Sequence, residues 1–179
     1  PGLTLSDADG DVEWNGGTLK VQITANASTD DRLRLPASDP GSGGIWLDGT
    51  TLKAGSTAFG TASATGVSSG SAWTFTFNAS ATNALVQSLG RALQFDNQSD
   101  TPSTAVRTIA FTATDKDGLS ATASMTLGVT AVNDAPTISG VPVTPQAVTV
   151  GVAAALPDFT VADVDNATLT VTLTAMHNG

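Results

Sequence analysis

The sequence predicts an all-β protein, an antiparallel β-sandwich with one short helix, and two observations carry this prediction. Most of the regular segments alternate apolar residues with threonine or serine at a period of two, which is the pattern of a strand with one buried face. Clusters rich in Gly, Asp and Asn separate these segments, as turns do in a sandwich of many short strands. Threonine on the solvent face is β-branched, so it keeps strand propensity without adding charge.

Six alternating runs follow one another along the chain, and each is expected to be a half-buried strand. Their apolar residues, in chain order, are Leu19, Val21 and Ile23; Trp73, Phe75 and Phe77; Ile109 and Phe111; Met125, Leu127 and Val129; Val148 and Val150; and Leu169, Val171 and Leu173. Turns are expected at Asp39-Pro40-Gly41, Asp48-Gly49, Asp117-Gly118 and Asn133-Asp134.

One segment breaks the alternation and is predicted to form a short helix. It runs from Thr82 to Arg91, and leucines recur at every fourth position from residue 85 to residue 93. Ser80 or Thr82 can cap its start, and Gly90 can close it. We expect this helix to pack across one end of the sandwich.

Charge in this sequence is scarce and mostly of one sign. Asp and Glu number 16 against 7 Lys and Arg, which gives a net charge of −9. This balance disfavours nucleic acid and anionic membrane surfaces as partners, since phosphates need Lys and Arg. It favours hard cations, because the acids are clustered. The clusters are Asp7, Asp9, Asp11 and Glu13; Asp115 and Asp117; and Asp163 and Asp165.

The chain contains no cysteine, which excludes disulfides and thiolate metal sites. No apolar run approaches the roughly 20 residues that a membrane helix needs, so no membrane insertion is expected. The sequence starts at Pro1 without a signal peptide, and we interpret Pro1 as a cut inside a longer chain.

The two ends of the sequence match each other. Residues 1–9 (PGLTLSDAD) match residues 157–165 (PDFTVADVD), and residues 18–25 (TLKVQITA) match residues 168–175 (TLTVTLTA). Nine of these seventeen aligned residues are identical, at an offset of 156 before a short insertion and of 150 after it. A tandem repeat of about 150 residues is therefore predicted. Its first unit is expected to lack its opening strand or strands.

The boundary between the repeats is predicted at Asn133-Asp134-Ala135-Pro136. Proline fixes its own φ angle and lacks an N–H, so it ends the preceding strand. The chain then divides into a first repeat over residues 1–132, a linker over 133–136, and the opening strands of a truncated second repeat over 137–179.

The Asn-Asp-Ala-Pro linker resembles that of cadherins, in which an Asn-Asp pair and a proline join consecutive domains around calcium. Residues 113–118 resemble the acidic turn before the last strand of a cadherin domain, and Asp163-Val-Asp165 is similar to the ligand pair of the next domain. Four short motifs, taken in their order along the chain, resemble the cadherin-like repeats of giant bacterial adhesins. They are Gly16–Leu19, Asp31–Leu33, Ser99–Thr104 and Val132–Pro136. This resemblance covers nearly the whole chain and implies a cadherin- or immunoglobulin-like sandwich.

The resemblance also implies calcium, which takes six to eight oxygen ligands. The implied ligands are Asn133, Asp134, Asp163 and Asp165 at the junction, Asp115 or Asp117 from the preceding unit, and Asp7 and Asp9 at the equivalent junction upstream. An Asp-Arg-Glu motif like that of animal cadherins is missing, so one or two ions per junction are expected. The alternative for each aspartate is plain turn chemistry, since aspartates in turns cap their own backbone.

Two motifs are excluded by their context. Residues 7–11 begin like an EF-hand loop, but Val12 and Thr18 stand where that loop needs Gly and Glu. Residues 66–70 (GVSSG) match the nucleophile elbow of hydrolases, which needs a strand, a turn, a helix and a histidine partner. The only histidine is His177 near the end of the sequence, so no enzyme is predicted.

Exposed tryptophans offer carbohydrate binding as an alternative function. Trp73 alternates with Phe75 and Phe77 and is expected in the core, whereas Trp14 and Trp46 lie in Gly-rich segments where they can be exposed.

The function expected is that of a structural extender repeat of a secreted bacterial surface adhesin, supporting cell adhesion or a biofilm matrix. Its partners would be the neighbouring repeats of the same chain, held through Ca²⁺. The alternatives are a carbohydrate-binding module and a fibre subunit assembled by β-strand exchange, because residues 137–155 supply the type of strand that the first unit lacks.

Overall fold

The computed structural model describes residues 4–174 and divides the chain into two units. Unit 1 is Pro1–Thr130 and unit 2 is Ala131–Gly179. The described residues of unit 1 contain ten strands, one α-helix and a short 3-10 helix (Asp11–Trp14), and those of unit 2 contain two strands. The elements are β1 (Thr18–Ala25), β2 (Asp31–Arg34), β3 (Ile45–Asp48), β4 (Thr51–Ala54), β5 (Thr57–Ala62), β6 (Gly66–Ser68), β7 (Trp73–Phe77), α1 (Asn83–Ala92), β8 (Gln94–Asn97), β9 (Arg107–Thr114), β10 (Ser120–Leu127), β11 (Thr137–Ser139) and β12 (Thr160–Ala162).

Unit 1 is built from two antiparallel sheets. The larger sheet has seven strands in the order β10-β9-β1-β7-β5-β4-β3, and the smaller has three in the order β6-β2-β8. Leu33 of β2 lies in the same buried cluster as Val21 of β1 and Ile109 of β9, so the two sheets share one core. The predicted antiparallel β-sandwich with a single α-helix is confirmed for the described part of the chain.

The alternating runs of unit 1 form the strands that were predicted. In β1 the side chains of Leu19, Val21 and Ile23 are buried while their neighbours are not, and β7 buries Trp73, Phe75 and Phe77 in the same way. In β9 the buried positions include Ile109 and Phe111. The fourth run forms β10 only as far as Leu127, and Val129 lies beyond the end of that strand. The expectation that this strand is half-buried is wrong, since every residue of β10 before Leu127 is exposed.

The predicted helix is also present. Its start is fixed by Thr82, whose hydroxyl accepts a hydrogen bond from the Leu85 N–H at 3.2 Å. Val86 and Leu89 are buried on its inner face. The helix passes through Gly90 and ends at Ala92, so Gly90 does not close it.

A buried ion pair links the two sheets. Asp31 at the start of β2 and Arg107 at the start of β9 are both 0% exposed. The guanidinium donates from Nε to Asp31 Oδ2 at 3.1 Å and from Nη2 to Asp31 Oδ1 at 3.2 Å. The Ser28 N–H and the Asn97 amide donate to the same carboxylate, while Arg107 Nη1 donates to the carbonyls of Ser103 and Ala105. The pair is thus fully hydrogen-bonded.

The described part of unit 2 has one small sheet, in which β11 pairs with β12 in antiparallel register. The strand predicted at Val148 and Val150 is wrong, since both residues lie outside regular structure and Val150 is 100% exposed. The strand predicted at Leu169, Val171 and Leu173 is also wrong, because these residues too lie outside regular structure. A strand is stable only with a ladder partner, and the described part of unit 2 supplies none to either run. Ala175, the end of the predicted match, lies outside the described residues.

Candidate functional site

The β11–β12 pair brings two distant segments of unit 2 to one end of a sheet. Thr137 lies directly opposite Ala162 in this antiparallel register. The residues just before Thr137 and those just after Ala162 therefore leave the sheet at the same end. The first of these segments is the Asn133–Pro136 linker, and the second is the Asp163-Val-Asp165 turn.

Direct hydrogen bonds join the linker to the turn. The Asp134 N–H donates to Asp165 Oδ2 at 2.6 Å, across 31 residues of chain. Asn166 bridges the same two segments, because its Nδ2 lies 3.3 Å from Asn133 Oδ1 and 3.1 Å from Asp163 Oδ1. The structure therefore brings together four of the eight predicted ligands: Asn133, Asp134, Asp163 and Asp165.

The side chain of Asp163 also caps the backbone of its own turn. Asp163 Oδ1 accepts from the Asp165 N–H at 2.9 Å and from the Asn166 N–H at 2.8 Å. This is the turn chemistry expected of aspartate in such a position. Asn166 was missed as a contributor by the sequence reasoning, and its only hint is the position directly after the Asp-x-Asp pair.

The chemistry of this donor set fits calcium. The side chains of Asn133, Asp134, Asp163 and Asp165 all carry oxygen atoms; Asp163 is half-buried and the other three residues are solvent-exposed. Within residues 4–174, however, no three His, Cys, Asp or Glu side chains are arranged so that they could hold a metal ion. Asp163 Oδ1 and Asp165 Oδ2 accept hydrogen bonds from N–H groups, and each carboxylate also carries a second oxygen atom.

The predicted ligands Asp7 and Asp9 lie in unit 1 and form a turn with the same internal bond. The Asp9 N–H donates to Asp7 Oδ1 at 2.8 Å, as the Asp165 N–H does to Asp163 Oδ1. Asn83 holds this turn against α1, because its Oδ1 accepts from the Asp7 N–H at 2.6 Å and from Trp14 Nε1 at 2.9 Å. The sequence carries no evident sign of this role for Asn83.

Asp115 and Asp117 lie in the hairpin between β9 and β10, also in unit 1. Asp115 Oδ1 accepts from the N–H groups of Asp117 and Leu119 at 2.8 and 2.9 Å. Lys116 Nζ lies 2.6 Å from Asp117 Oδ2 and 2.8 Å from Glu13 Oε2. Its hydrogen bonds to Asp117 and then to Glu13 raise the pKa of Lys116. A lysine therefore already partners the Asp117 carboxylate.

The tryptophans are less available to sugars than the sequence suggested. The expectation that Trp14 can be exposed is wrong: it is 2% exposed, because the 3-10 helix turns its ring edge-on against Phe77 at 5.6 Å between centroids. Trp46 is half-buried, and Lys53 Nζ lies 5.1 Å from the centre of its ring. Trp73 is buried, as predicted.

The GVSSG segment forms strand β6 and a turn in which Ser69 and Gly70 have φ angles of 55° and 72°. The element that follows is strand β7, whereas a nucleophile elbow leads into a helix. His177 lies outside the described residues.

The chain matches no family model, no curated protein and no solved structure. Across residues 4–174, no helix has both the length and the apolar character needed to cross a membrane.

Proposed function

We propose that this chain is a structural, non-catalytic extender segment of a secreted bacterial surface adhesin, whose junction between repeats is stiffened by calcium. The observation that carries the proposal is the Asp134 N–H bond to Asp165 Oδ2 at 2.6 Å, together with the Asn166 bridge from Asn133 to Asp163. These contacts place the linker and the Asp-x-Asp turn side by side.

Electrostatics explains why a cation would act at this position. Asp134, Asp163 and Asp165 place three carboxylates in two adjacent segments of a chain with a net charge of −9. Like charges at this spacing repel one another, and a bound divalent ion turns that repulsion into attraction. Calcium suits the site better than magnesium, because calcium accepts irregular oxygen cages and sheds water more readily.

Coupling to folding follows from the origin of the ligands. Asn133 and Asp134 come from the linker, whereas Asp163 and Asp165 come from the turn after β12. An ion held by both segments would bind only when β11 and β12 are paired, so its binding free energy stabilises the folded unit and fixes the linker. A row of such junctions would hold successive repeats in extended order and project a distal domain away from the cell.

The test is thermal unfolding of the whole chain in excess EDTA, in millimolar calcium and in millimolar magnesium. An ion that binds only the folded state adds about 2.7 kcal/mol at 100 times its dissociation constant, so calcium should raise the unfolding temperature by several degrees. The doubly substituted Asp163→Asn, Asp165→Asn chain should lose most of this rise.

Asp39→Asn is the matched control. Asp39 Oδ1 accepts from the Gly41 N–H at 2.8 Å, which is the same type of local turn bond as at Asp163, but Asp39 is not part of the linker site. This variant should keep the full calcium response. Equal unfolding temperatures in all three solutions would disprove the calcium proposal.

A further inference from the structure

The small sheet of unit 1 turns two arginines away from the core. Along β2 the exposure alternates, with Asp31 and Leu33 buried and Arg32 and Arg34 more exposed. Successive side chains of a strand point to opposite faces, so the two arginines share the outer face of the small sheet. Two positive charges therefore lie side by side in a chain whose net charge is −9.

A hollow of about 290 Å³ lies beside these arginines, and we call it the β2–β6 hollow. Its lining consists of residues 32–34 of β2 and residues 65–68 of and just before β6. Arg34 is opposite Gly66 in the ladder, so no side chain of Gly66 fills the space next to Arg34. Arg32 is opposite Ser68, whose hydroxyl shares its face of the sheet. None of the described residues that line the hollow is acidic.

Arg32 has no ion-pair partner within the described part of the chain. The acid opposite it in the ladder is Asp96, but Asp96 Oδ2 pairs with Arg34 Nη2 instead. Arg32 Nη1 donates to the backbone carbonyls of Thr29 at 2.7 Å and of Asp31 at 3.1 Å. These carbonyls are neutral, so they hold the guanidinium in place without cancelling its charge. Its Nε and Nη2 make no hydrogen bond to the described residues and remain as donors for a ligand.

The donors around the hollow fit one class of ligand. A guanidinium binds a carboxylate through two parallel N–H bonds, which a neutral ligand cannot match. The hydroxyls of Thr65 and Ser68 can donate to and accept from the hydroxyls of a sugar ring. The volume of about 290 Å³ lies at the lower end of ligand pockets, so it suits a group the size of one sugar. In the described sheets β6 pairs only with β2, so the hollow lies at an open sheet edge.

We propose that the β2–β6 hollow binds a uronic acid, either as a free sugar acid or as a residue of an acidic polysaccharide. Arg32 would take the carboxylate through Nε and Nη2, and Arg34 would add a second positive charge beside it. Thr65 and Ser68 would bond to the ring hydroxyls. The site uses none of the calcium ligands at the linker, so this proposal stands or falls independently of the calcium site.

A titration followed by two-dimensional ¹H–¹⁵N NMR tests the site directly. D-glucuronate is compared with D-glucose, which has the same ring without the carboxylate, and EDTA is present so that calcium cannot bridge sugar and protein. Glucuronate should shift the amide signals of residues 32–34 and 65–68 with a dissociation constant in the millimolar range. Glucose should bind at least about tenfold more weakly. Added salt should weaken glucuronate binding, because the arginines are partly exposed.

Variants of the two arginines assign the contact. Arg32→Gln should weaken glucuronate binding about tenfold or more, because it removes both the charge and the paired donors. Arg34→Gln should weaken it less, about threefold, and supplies a second test if Arg32→Gln does not fold by circular dichroism. The matched control is Arg91→Gln, which makes the same change of net charge on the exposed side of α1 and should leave the affinity unchanged.

Tri-galacturonate distinguishes the two sources of the ligand. Tighter binding than glucuronate would assign the hollow to a polysaccharide, and equal binding would assign it to a single sugar acid. Glucose that binds as well as glucuronate would overturn the proposal, as would an Arg32→Gln chain with unchanged affinity. Acetate or a tri-glutamate peptide that binds as tightly as glucuronate would overturn it too, because the hollow would then recognise a carboxylate without its sugar.

Discussion

Arg107 and Asp31 meet as a two-pronged ion pair in the interior of unit 1, with neither side chain exposed to solvent. Arg107 begins a strand of the seven-stranded sheet, and Asp31 begins the central strand of the three-stranded one. The pair therefore connects the two layers of the sandwich through a polar contact in an otherwise apolar core. Among the described residues, the other hydrogen bonds of these two side chains come from three neighbouring segments, at Ser28, Asn97 and residues 103–105.

Removing one partner of this pair should be strongly destabilising. In Arg107→Met the Asp31 carboxylate stays buried without its counter-charge, and the expected loss is about 3–5 kcal/mol in the free energy of unfolding. Urea unfolding followed by circular dichroism measures this loss. The control is Asp48→Asn, which removes the charge from an exposed pair with Lys53 and should cost less than about 1 kcal/mol. Similar losses in the two variants would contradict the assignment of Arg107 as a link between sheets.

The same carboxylate should give the stability a distinct acid dependence. Burial tends to raise the pKa of Asp31, but the hydrogen bonds from Arg107, Ser28 and Asn97 outweigh it, and the folded-state pKa is lowered. A lowered pKa in the folded state stabilises the fold above the unfolded value of about 3.9, and this contribution disappears as the pH falls through the folded pKa. We therefore expect the free energy of unfolding to fall steeply below about pH 4.

The Asp31→Asn variant isolates this effect. Asparagine carries no titrating proton, so the variant should be less stable at pH 7 and should lose less further stability between pH 5 and pH 2. Urea unfolding at a series of pH values measures how steeply the free energy of unfolding falls with pH in the variant and in the parent chain. Parallel slopes for the variant and the parent chain would show that other carboxylates dominate the acid response.

Much of the core could be predicted from the sequence, because alternation in β1, β7 and β9 reports a buried face directly. Other strands could not be predicted from alternation. In β5 the consecutive residues Phe59 and Gly60 are both buried, because the register with β4 shifts at Leu52 and Lys53. In β2 a buried aspartate occupies a core position that a hydrophobic pattern reads as polar. A bulge and a buried ion pair both depend on the partner strand, which the local sequence does not contain.

The candidate site divides in the same way. The resemblance to cadherin linkers was enough to propose that residues 133–134 and 163–165 belong together. The bridging role of Asn166 depends on the turn geometry, and that of Asn83 depends on the packing of α1 against residues 7–14. The alternation at Val148 and Val150 predicted a strand, but alternation alone does not show whether a partner strand is present, and the described part of unit 2 supplies none.

The helix cap offers a test with an internal control. Both Ser80 and Thr82 could cap α1 by sequence, and the structure selects Thr82, whose hydroxyl accepts from the Leu85 N–H. Thr82→Ala should therefore lower the free energy of unfolding by about 1 kcal/mol, within a range of roughly 0.5–2. Ser80→Ala should change it by less than about 0.5 kcal/mol, as is usual for an exposed substitution. Urea unfolding of the two variants in parallel decides between the caps, and a larger loss for Ser80→Ala would reverse the assignment.

Gly60 in β5 should tolerate no side chain. A Cβ built at this position would lie 2.5 Å from the Thr76 carbonyl oxygen and 3.3 Å from the Phe77 Cα on the neighbouring strand. The obstacle is backbone, so Gly60→Ala must separate β5 from β7 at the centre of the large sheet, and a loss of about 1–3 kcal/mol or more is expected. Gly128→Ala is the matched control, because no atom lies within 4 Å of a Cβ there and its φ is not in the left-handed region. Thermal unfolding should show a clear fall in melting temperature for Gly60→Ala and almost none for Gly128→Ala. Equal melting temperatures would mean that the β5–β7 ladder is looser than its register implies.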